Sequence, residues 1–312
     1  MRTRFAILAN AFILITLFIY SSATLAAKTR GIYITQTTLE DTKRLTHIIN
    51  RAKAVGINTF VIDYERPSKL TTQNIQLVKD NGFKYVARIV IFPDGAKNKA
   101  QMFSESHREK KFGLIKDTLG LGAETIQIDY IRYSSKNKPS DQNAQDVKNT
   151  IAWYRDKLKA YNPKIPLQID VFGITSFHPE KRIGQYPKVF AGTVDGINPM
   201  VYPSHYEPFR LYSSQPYKTV HSSLLSLKEQ LKDQPPVKIT AFIEASNYRY
   251  PLPGGKKAHY VSEQIRAVED ANIDGWYFWS ANNLYEHVFN VLQSKQSTPK
   301  TTKAENIKAT SS

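Results

Sequence analysis

The stretch TIQIDYIRYS, residues 125–134, is typical of a β-strand that turns polar side chains to one side. Successive side chains of a strand point to opposite faces, so its isoleucines share one face while Gln127 and Asp129 share the other. The same QID triplet returns in LQIDVFG, residues 167–173. The pattern therefore predicts a fold in which two separate strands each turn an aspartate to the same polar face or interior.

Segments typical of strands and of helices alternate outward from this stretch in both directions. In the helical segments apolar residues recur at three- and four-residue spacing, as Leu45, Ile48, Ile49 and Ala52 do. The predicted strands are GIYIT (31–35), TFVIDYE (59–65), YVARIVIF (85–92), TIQIDYI (125–131), LQIDVFG (167–173), GINPMVY (196–202), KITAFIE (238–244) and GWYFWS (275–280). Eight strands, each followed by room for a helix, predict an α/β protein built as a single (β/α)8 TIM barrel. An open doubly wound sheet is the alternative, but no G-x-G-x-x-G motif follows the first strand.

A barrel gives the two QID strands a chemical meaning. Their apolar face would pack on the helices, so Asp129 and Asp170 would point inward near the carboxyl ends of the strands, where barrel enzymes keep their active sites. Neighbouring strands lie about 4.8 Å apart. The carboxylates could match a retaining glycosidase pair at ~5–5.5 Å or, with stagger, an inverting pair at ~6.5–9.5 Å. A structural role, with the acids bonded to Arg88, Asn198 or buried water, is also open.

Further polar and aromatic residues are predicted at the same mouth. Glu244 ends the seventh strand and could face Asp129 across the barrel, which makes it an alternative proton donor. The predicted substrate-binding residues are Asp63, Arg88, Tyr130, Arg132, Tyr202, His205, Tyr206, Trp276 and Trp279. Aromatic faces suit sugar rings, whereas Arg132 could instead form a rim salt bridge and His205 a local hydrogen bond. The seven histidines are dispersed, so neither a metal site nor a cofactor is predicted.

The two ends of the chain differ from the barrel. Two arginines precede an apolar run and the small residues SSATLAA (21–27), which predicts a signal peptide over residues 1–27, with an uncleaved membrane anchor as the alternative. The barrel is predicted over residues 28–293, and the polar, aperiodic residues 294–312 are predicted to be disordered. The protein is therefore expected in the periplasm or outside the cell.

Composition limits the partners. The chain has 312 residues, no cysteine and a formal net charge of +16. The lack of cysteine excludes disulfides, thiolate metal sites and cysteine nucleophiles. Because the basic residues are dispersed, no nucleic-acid partner is predicted. The expected partner is an oligo- or polysaccharide, and the positive charge favours an acidic or cell-wall glycan.

Several of these segments together resemble the bacterial "putative glycosyl hydrolase domain" family, whose barrels are distantly similar to α-amylase-like enzymes. The similar segments are GIYIT (31–35), VIDYE (61–65), RIVIFPD (88–94), QIDYIRYS (127–134), DVFG (170–173), NPMVYPSHY (198–206) and GWYFWSANN (275–283). The resemblance implies a catalytic barrel that acts on a glycan. It also implies that Asp129 and Asp170 occupy the positions of the family's strand-four and strand-five acids.

The chain departs from the family pattern at two strands. The family usually has Lys where this chain has Glu65, and a segment like PWLQDF where this chain has TAFIEAS (240–246). The second change places Glu244 near a position normally held by an amide, so the substrate contacts or the catalytic pair could differ. The main expectation is an exported glycoside hydrolase. The alternatives are a non-catalytic glycan-binding protein and a structural envelope protein on the same barrel.

Overall fold

A closed barrel of eight parallel strands forms the centre of the molecule, which confirms the predicted TIM barrel. The computed structural model describes residues 27–297. The strands are β1 (Thr29–Ile34), β2 (Thr59–Asp63), β3 (Lys84–Val90), β4 (Thr125–Asp129), β5 (Leu167–Phe172), β6 (Gly196–Met200), β7 (Lys238–Glu244) and β8 (Gly275–Trp279). The barrel closes because β8 pairs in parallel with both β7 and β1.

Helices surround the barrel and connect its strands. They are α1 (Gln36–Glu40), α2 (Thr42–Ala54), α3 (Lys69–Asp80), α4 (Lys99–Met102), α5 (Glu105–Gly120), α6 (Asp141–Tyr161), α7 (Pro187–Phe190), α8 (Phe209–Ser214), α9 (Pro216–Leu231), α10 (Gly254–Ala271) and α11 (Glu286–Ser297). Short 3-10 turns lie at Gly173–Ser176, Ala191–Thr193 and Pro203–His205. The last of these turns follows β6 and proves important for the mouth of the barrel.

Local sequence explains where the helices begin and which face they bury. In α2 the buried residues are the four apolar positions predicted from their spacing, and the Asp41 side chain accepts the Arg44 N–H at the helix start. In α3 Ser68 and Thr71 form a reciprocal capping box. Such caps satisfy backbone N–H groups that have no partner inside the helix. The caps mark where α2 and α3 begin, and the residues that each helix buries lie on one face.

Apolar residues fill both the space under the helices and part of the barrel interior. The interior cluster consists of Tyr33, Val61, Val86, Tyr202, Phe242 and Tyr277. Gly31 gives room to this filling, because a Cβ there would lie 2.5 Å from the Tyr277 ring. Gln127, Gln168 and Asn198 are also buried inside, so the interior changes from apolar to polar near the strands that carry the acids.

The ends of the chain lie mostly outside the described residues. The predicted signal peptide falls in residues 1–26 except for its last residue, and most of the predicted tail falls in residues 298–312. Residues 294–297, predicted to be disordered, instead form the last turn of α11, where Lys295 lies 3.8 Å from Glu269 of α10. Within residues 27–297, no helix is both long enough and apolar enough to cross a membrane.

Candidate active site

One arginine joins three aspartates from neighbouring strands. The Arg88 guanidinium on β3 forms ion pairs with Asp63 on β2 and Asp129 on β4, and its Nε lies 3.5 Å from Asp170 Oδ2 on β5. The Tyr33 hydroxyl donates to the second oxygen of Asp63. Asp129 and Asp170 are almost fully buried and both point inward, as the strand alternation predicted.

Asp129 and Asp170 lie at the same height in the barrel. The β4–β5 register pairs Gln127 with Gln168 and Ile128 with Ile169, so the next residues in register are the two aspartates. Asp129 also accepts the Tyr130 backbone N–H, and Asp170 Oδ1 accepts from Asn198 Nδ2 at 3.1 Å. Two carboxyl groups from adjacent strands therefore share a single cation, Arg88.

Burial shifts the pKa of Asp170. Removal from water, and then the nearby Asp129 carboxylate, raise the pKa of Asp170 well above its usual range, although Arg88 and Asn198 act in the opposite direction. Both oxygens of Asp129 accept hydrogen bonds, Oδ2 from the Arg88 guanidinium and Oδ1 from the Tyr130 backbone N–H. The direction of this shift makes Asp170 the better candidate of the two for a proton donor.

The two aspartates lie at the floor of a cavity of about 560 Å³ at the carboxyl ends of the strands. One wall is aromatic: the Tyr202 ring stacks on Trp279 at 4.8 Å, and Tyr248, which is outside the lining, lies 4.7 Å from Trp279. His205 completes this wall at 5.3 Å from Tyr202. Partial burial, followed by the nearby Arg249, lowers the pKa of His205, which favours a neutral ring. The wall offers flat apolar faces above a charged floor.

The opposite rim depends on a backbone turn directly after Asp129. Tyr130 has a φ of +52°, a left-handed conformation uncommon for residues other than glycine. Because of this turn the Tyr130 ring lines the cavity, although strand alternation alone would face it away from Asp129. Arg132 does not line the cavity. Its guanidinium lies 5.1 Å from the Tyr130 ring and 5.5 Å from the Phe172 ring and supports both from behind.

Glu244 does not reach the cavity, so the structure does not place it as a proton donor. Its carboxylate accepts the Ser204 backbone N–H at 2.8 Å, the Ser204 hydroxyl at 2.7 Å and the Tyr260 hydroxyl. The Pro203–His205 turn therefore covers Glu244 and separates it from Asp129. Burial raises the pKa of Glu244 to about 7, partly offset by these hydrogen bonds. Its contacts are those of an anchor for the turn.

Two more predicted contacts fall outside the cavity. Trp276 faces the helices, where it packs on Phe278 at 5.0 Å and beneath Arg30 at 5.6 Å. Trp276 and Trp279 are three positions apart on one strand, so only one of them can face inward. Asp63 is engaged with Tyr33 and Arg88 and does not line the cavity. Tyr206 lines it, and its hydroxyl accepts a hydrogen bond from Ser223 at 2.9 Å.

Comparison with known sequences places the chain in a family. Residues 98–285, more than half of the chain, match the family described as "Putative glycosyl hydrolase domain". The chain belongs to this family. The matched region includes β4 to β8 and therefore both buried aspartates, whereas Arg88 precedes it. The sequence has no significant match among curated proteins.

Solved structures with the same fold include several glycoside hydrolases. The PgaB (BpsB) glycoside hydrolase domain from Bordetella bronchiseptica has a TM-score of 0.65 and 9% identity, over 85% of this chain and 98% of that one. The endo-1,4-beta-mannanase from Rhizomucor miehei has a TM-score of 0.63 and 9% identity, over 87% of this chain and 96% of that one. The spore cortex-lytic enzyme SleL from Bacillus cereus has a TM-score of 0.62 and 12% identity, over 85% of this chain and 74% of that one. At such low identities these similarities establish the barrel fold.

The two residues expected to depart from the family pattern, Glu65 and Glu244, do not line the cavity. Glu65 is exposed, follows β2 and lies 3.8 Å from Arg66. Glu244 is enclosed by the Pro203–His205 turn and by Tyr260. Neither change alters the residues around the two aspartates.

Two carboxylates in the cavity lining were not predicted as ligands. Glu180 comes from the loop after β5 and Glu207 from the loop after β6. Glu180 is held by a local backbone bridge to Gln185 and reaches the cavity lining from this loop. With Asp129 and Asp170, four carboxyl groups and one guanidinium line the cavity, although the chain as a whole is strongly basic.

Metal binding has little support in this arrangement. Among residues 27–297, no group of three or more His, Asp or Glu side chains is placed to hold a metal ion. The three aspartates instead direct their oxygens at Arg88. The residues at the floor are thus arranged for proton transfer and ion pairing.

Proposed function

We propose that this protein is an exported glycoside hydrolase that cleaves a polysaccharide with Asp170 as proton donor and Asp129 as nucleophile. The proposal rests on one observation: two aspartates from neighbouring strands meet one arginine at the floor of an aromatic-walled cavity. Family membership supports the reaction class. The raised pKa of Asp170 supports the assignment of the acid.

The proposed reaction has two steps. Asp170 gives its proton to the glycosidic oxygen while Asp129 attacks the anomeric carbon, so the C–O bond breaks and a glycosyl ester forms on Asp129. The ester removes the negative charge that raised the pKa of Asp170, and Arg88 and Asn198 stabilise the new carboxylate. Asp170 can then take a proton from water, which attacks the anomeric carbon and releases Asp129.

The level register of the two aspartates favours this retaining route over an inverting one. Adjacent strands are about 4.8 Å apart, close to the ~5–5.5 Å of retaining pairs and too short for a water between the carboxyl groups. The anomer of the first product, followed by proton NMR, tests this choice. A product of inverted configuration would overturn it.

The cavity lining narrows the sugar expected at the cleavage point. Even with a proton on Asp170, the carboxyl groups of the lining outnumber its single guanidinium, Arg88, which disfavours a uronic acid beside them. We expect a neutral or amino sugar there, in an oligosaccharide or polysaccharide such as a cell-wall glycan. The aromatic wall of Tyr202 and Trp279 would carry the sugar ring.

Hydrolysis is tested by reducing-end release from a panel of glycans that includes sacculi, chitin, mannan and acidic exopolysaccharides. We expect release by the wild type and none by Asp129→Asn. The matched control is Asp156→Asn, an exposed aspartate on α6, which should behave as the wild type. Equal release by Asp129→Asn in a pure sample would contradict the proposal.

A non-catalytic glycan-binding protein is the second candidate, because the ion pairs with Arg88 could hold the aspartates in a purely structural role. It would retain one glycan on a column, with no release of reducing ends by either protein. Export rests on the predicted signal peptide, and cell fractionation with mass spectrometry of the mature chain tests it. The expected new N-terminus follows Ala23, Ala26 or Ala27.

A further inference from the structure

A second cavity lies at the beginning of α10, on the far side of the β7–α10 loop from the aspartates. It has a volume of about 670 Å³ and is lined by the end of α8, the loop residues 250–253 and the first turns of α10. We call it the α10 cavity. It shares no lining residue with the active-site cavity.

The N-terminus of α10 supplies backbone donors to the α10 cavity. The helix runs for 18 residues from Gly254, and Pro253 at its N-cap has no side chain that could accept a hydrogen bond. The first N–H groups of a helix have no partner within it, and they carry the positive end of the helix dipole. This end of α10 is therefore suited to an anion.

Three basic side chains line the α10 cavity together with this helix end. They are Arg210 from α8 and Lys256 and His259 from α10. Lys256 and His259 are three positions apart and so lie on one face of the helix. No carboxylate lines the cavity, and none of these three side chains forms an ion pair within residues 27–297. The active-site cavity has the opposite balance of charge.

A buried amide points independently to a missing acceptor. Asn247 lines the α10 cavity and is only 9% exposed. Its Oδ1 accepts the backbone N–H groups of Arg249 at 2.9 Å and Tyr250 at 3.0 Å, which fixes the orientation of the amide. Its Nδ2 is buried and has no partner, and neither has the Tyr250 hydroxyl in the same lining. Buried donors without partners are rare because they are costly.

We propose that the α10 cavity binds a tetrahedral oxyanion, a phosphate or sulfate group. The uncapped helix end, Lys256, His259, Arg210 and the Asn247 amide are all donors, and such a group consists of acceptors that can satisfy them together. This site is separate from the proposed hydrolysis. It does not require that the aspartates be active.

One loop, which includes Asn247, Tyr248 and Arg249, connects the α10 cavity with the residues around the active-site cavity. Tyr248, next to Asn247, packs on Trp279 at 4.7 Å, and Arg249 Nε donates to the Ser204 carbonyl at 2.9 Å. An anion bound to Asn247 would hold this loop, and with it one part of the aromatic wall. The anion could be a free ion or an ester carried on the glycan chain itself.

The test is calorimetric titration of the full chain with sodium phosphate, and separately with sodium sulfate, at constant ionic strength. We expect saturable binding at one site per chain. Asn247→Asp keeps the acceptor for the two backbone N–H groups but replaces the free donor with a negative oxygen. Lys256→Ala removes one cation. Each should weaken binding by about tenfold or more.

The matched control is Lys257→Ala, which removes the same charge from the adjacent, exposed residue that does not line the cavity. It should bind phosphate as the wild type does. The absence of saturable binding, or an equal loss in Lys257→Ala, would overturn the site, the latter because it would indicate diffuse attraction only. Asp129→Asn should bind phosphate normally, so failure of hydrolysis and failure of this site are distinguishable.

Competition then identifies the source of the anion. A phosphate-bearing oligosaccharide that displaces inorganic phosphate from the wild type would assign the site to an ester on the glycan. Phosphate binding that is unaffected by the oligosaccharide would assign it to the free ion. Either result supports an oxyanion site.

Discussion

Around Arg88, the charge of individual side chains sets what Asp129 and Asp170 can do. One guanidinium faces three carboxyl groups, so full ionisation of all three would leave excess negative charge in a buried place. The imbalance is relieved if Asp170, the most enclosed of the three, keeps its proton. In the proposed reaction, this imbalance of charge is what supplies the proton donor.

The pH profile of hydrolysis should report Asp170. Because its pKa is raised and the acid must be protonated, kcat/KM should fall as the pH rises through that pKa. Asp170→Asn should lower kcat by about 10²–10⁴-fold and remove this alkaline limb from the residual activity. A profile measured on the substrate found in the glycan panel checks this, and an unchanged alkaline limb in Asp170→Asn would assign the donor elsewhere.

Glu244 should make stability depend on pH. Its pKa is raised from 4.5 to about 7 in the folded state, so the folded protein holds a proton that the unfolded chain releases. This contribution to stability is present below pH 4.5 and is lost as the pH rises through about 7. The loss amounts to about 3 kcal/mol. Glu244→Gln, which carries no charge, should lack it.

Urea unfolding at pH 5 and pH 8 measures this effect as the difference between wild type and Glu244→Gln. The unfolding free energy of the wild type, minus that of Glu244→Gln, should be smaller at pH 8 than at pH 5. Glu124→Gln, an exposed glutamate, is the control and should follow the wild type at both values. A constant difference between wild type and Glu244→Gln would contradict the buried, proton-holding state.

At the scale of one element, β8 shows how a strand divides its side chains between two tasks. Trp279 contributes to the active-site wall, whereas Trp276 packs beneath the helices. Both were predicted to bind substrate as aromatic residues around the mouth of the barrel. Alternation along the strand already implied that they face opposite ways, and the structure follows the alternation.

The two tryptophans should therefore respond differently to substitution. Trp279→Ala should raise KM by roughly tenfold through loss of a stacking surface, with little effect on the unfolding free energy. Trp276→Ala should lower the unfolding free energy by about 3–5 kcal/mol, with KM unchanged for the folded fraction. Denaturant titrations and steady-state kinetics on both variants check this; an identical pattern in both would contradict the assignment of faces.

At the scale of the whole molecule, the barrel is closed by contacts between its first and last strands and helices. β1 pairs with β8, and Arg51 of α2 donates to Asn290 of α11 at 2.7 Å. The last helix also buries Val288, Phe289 and Leu292. The part of the chain from residue 28 to 297 thus contains every strand and the helix that covers the closure.

A chain limited to residues 28–297 should fold and unfold cooperatively with the same thermal midpoint as the mature protein. A chain that ends at residue 285 lacks α11, so the apolar surface that α11 covers becomes exposed. Each buried side chain that is lost is worth about 1.5–3 kcal/mol. This shorter chain should therefore aggregate or have a much lower thermal midpoint. Circular dichroism melts of the two chains check this. A lowered midpoint for 28–297 would show that the ends contribute to the fold.

Much of the fold could be predicted from local pattern. The eight strands were predicted in order, and in β4 the observed strand ends at Asp129, two residues before the predicted end. The difference arises because Tyr130 takes a left-handed conformation that no local propensity signals. The inward direction of Asp129 and Asp170 followed from alternation alone.

The sequence by itself determined the barrel and the paired aspartates, because strand alternation and helix periodicity are local properties that repeat along the chain. The sequence left open whether Arg88 contacts the acids, and only the tertiary structure decided that it does. Tertiary structure also decided that the Pro203–His205 turn covers Glu244 and that Asn247 lines the α10 cavity. Each of these depends on contacts between residues far apart in sequence. Charge states and cavities result from such contacts, since burial and neighbouring charges set the pKa of a group only once the chain has folded.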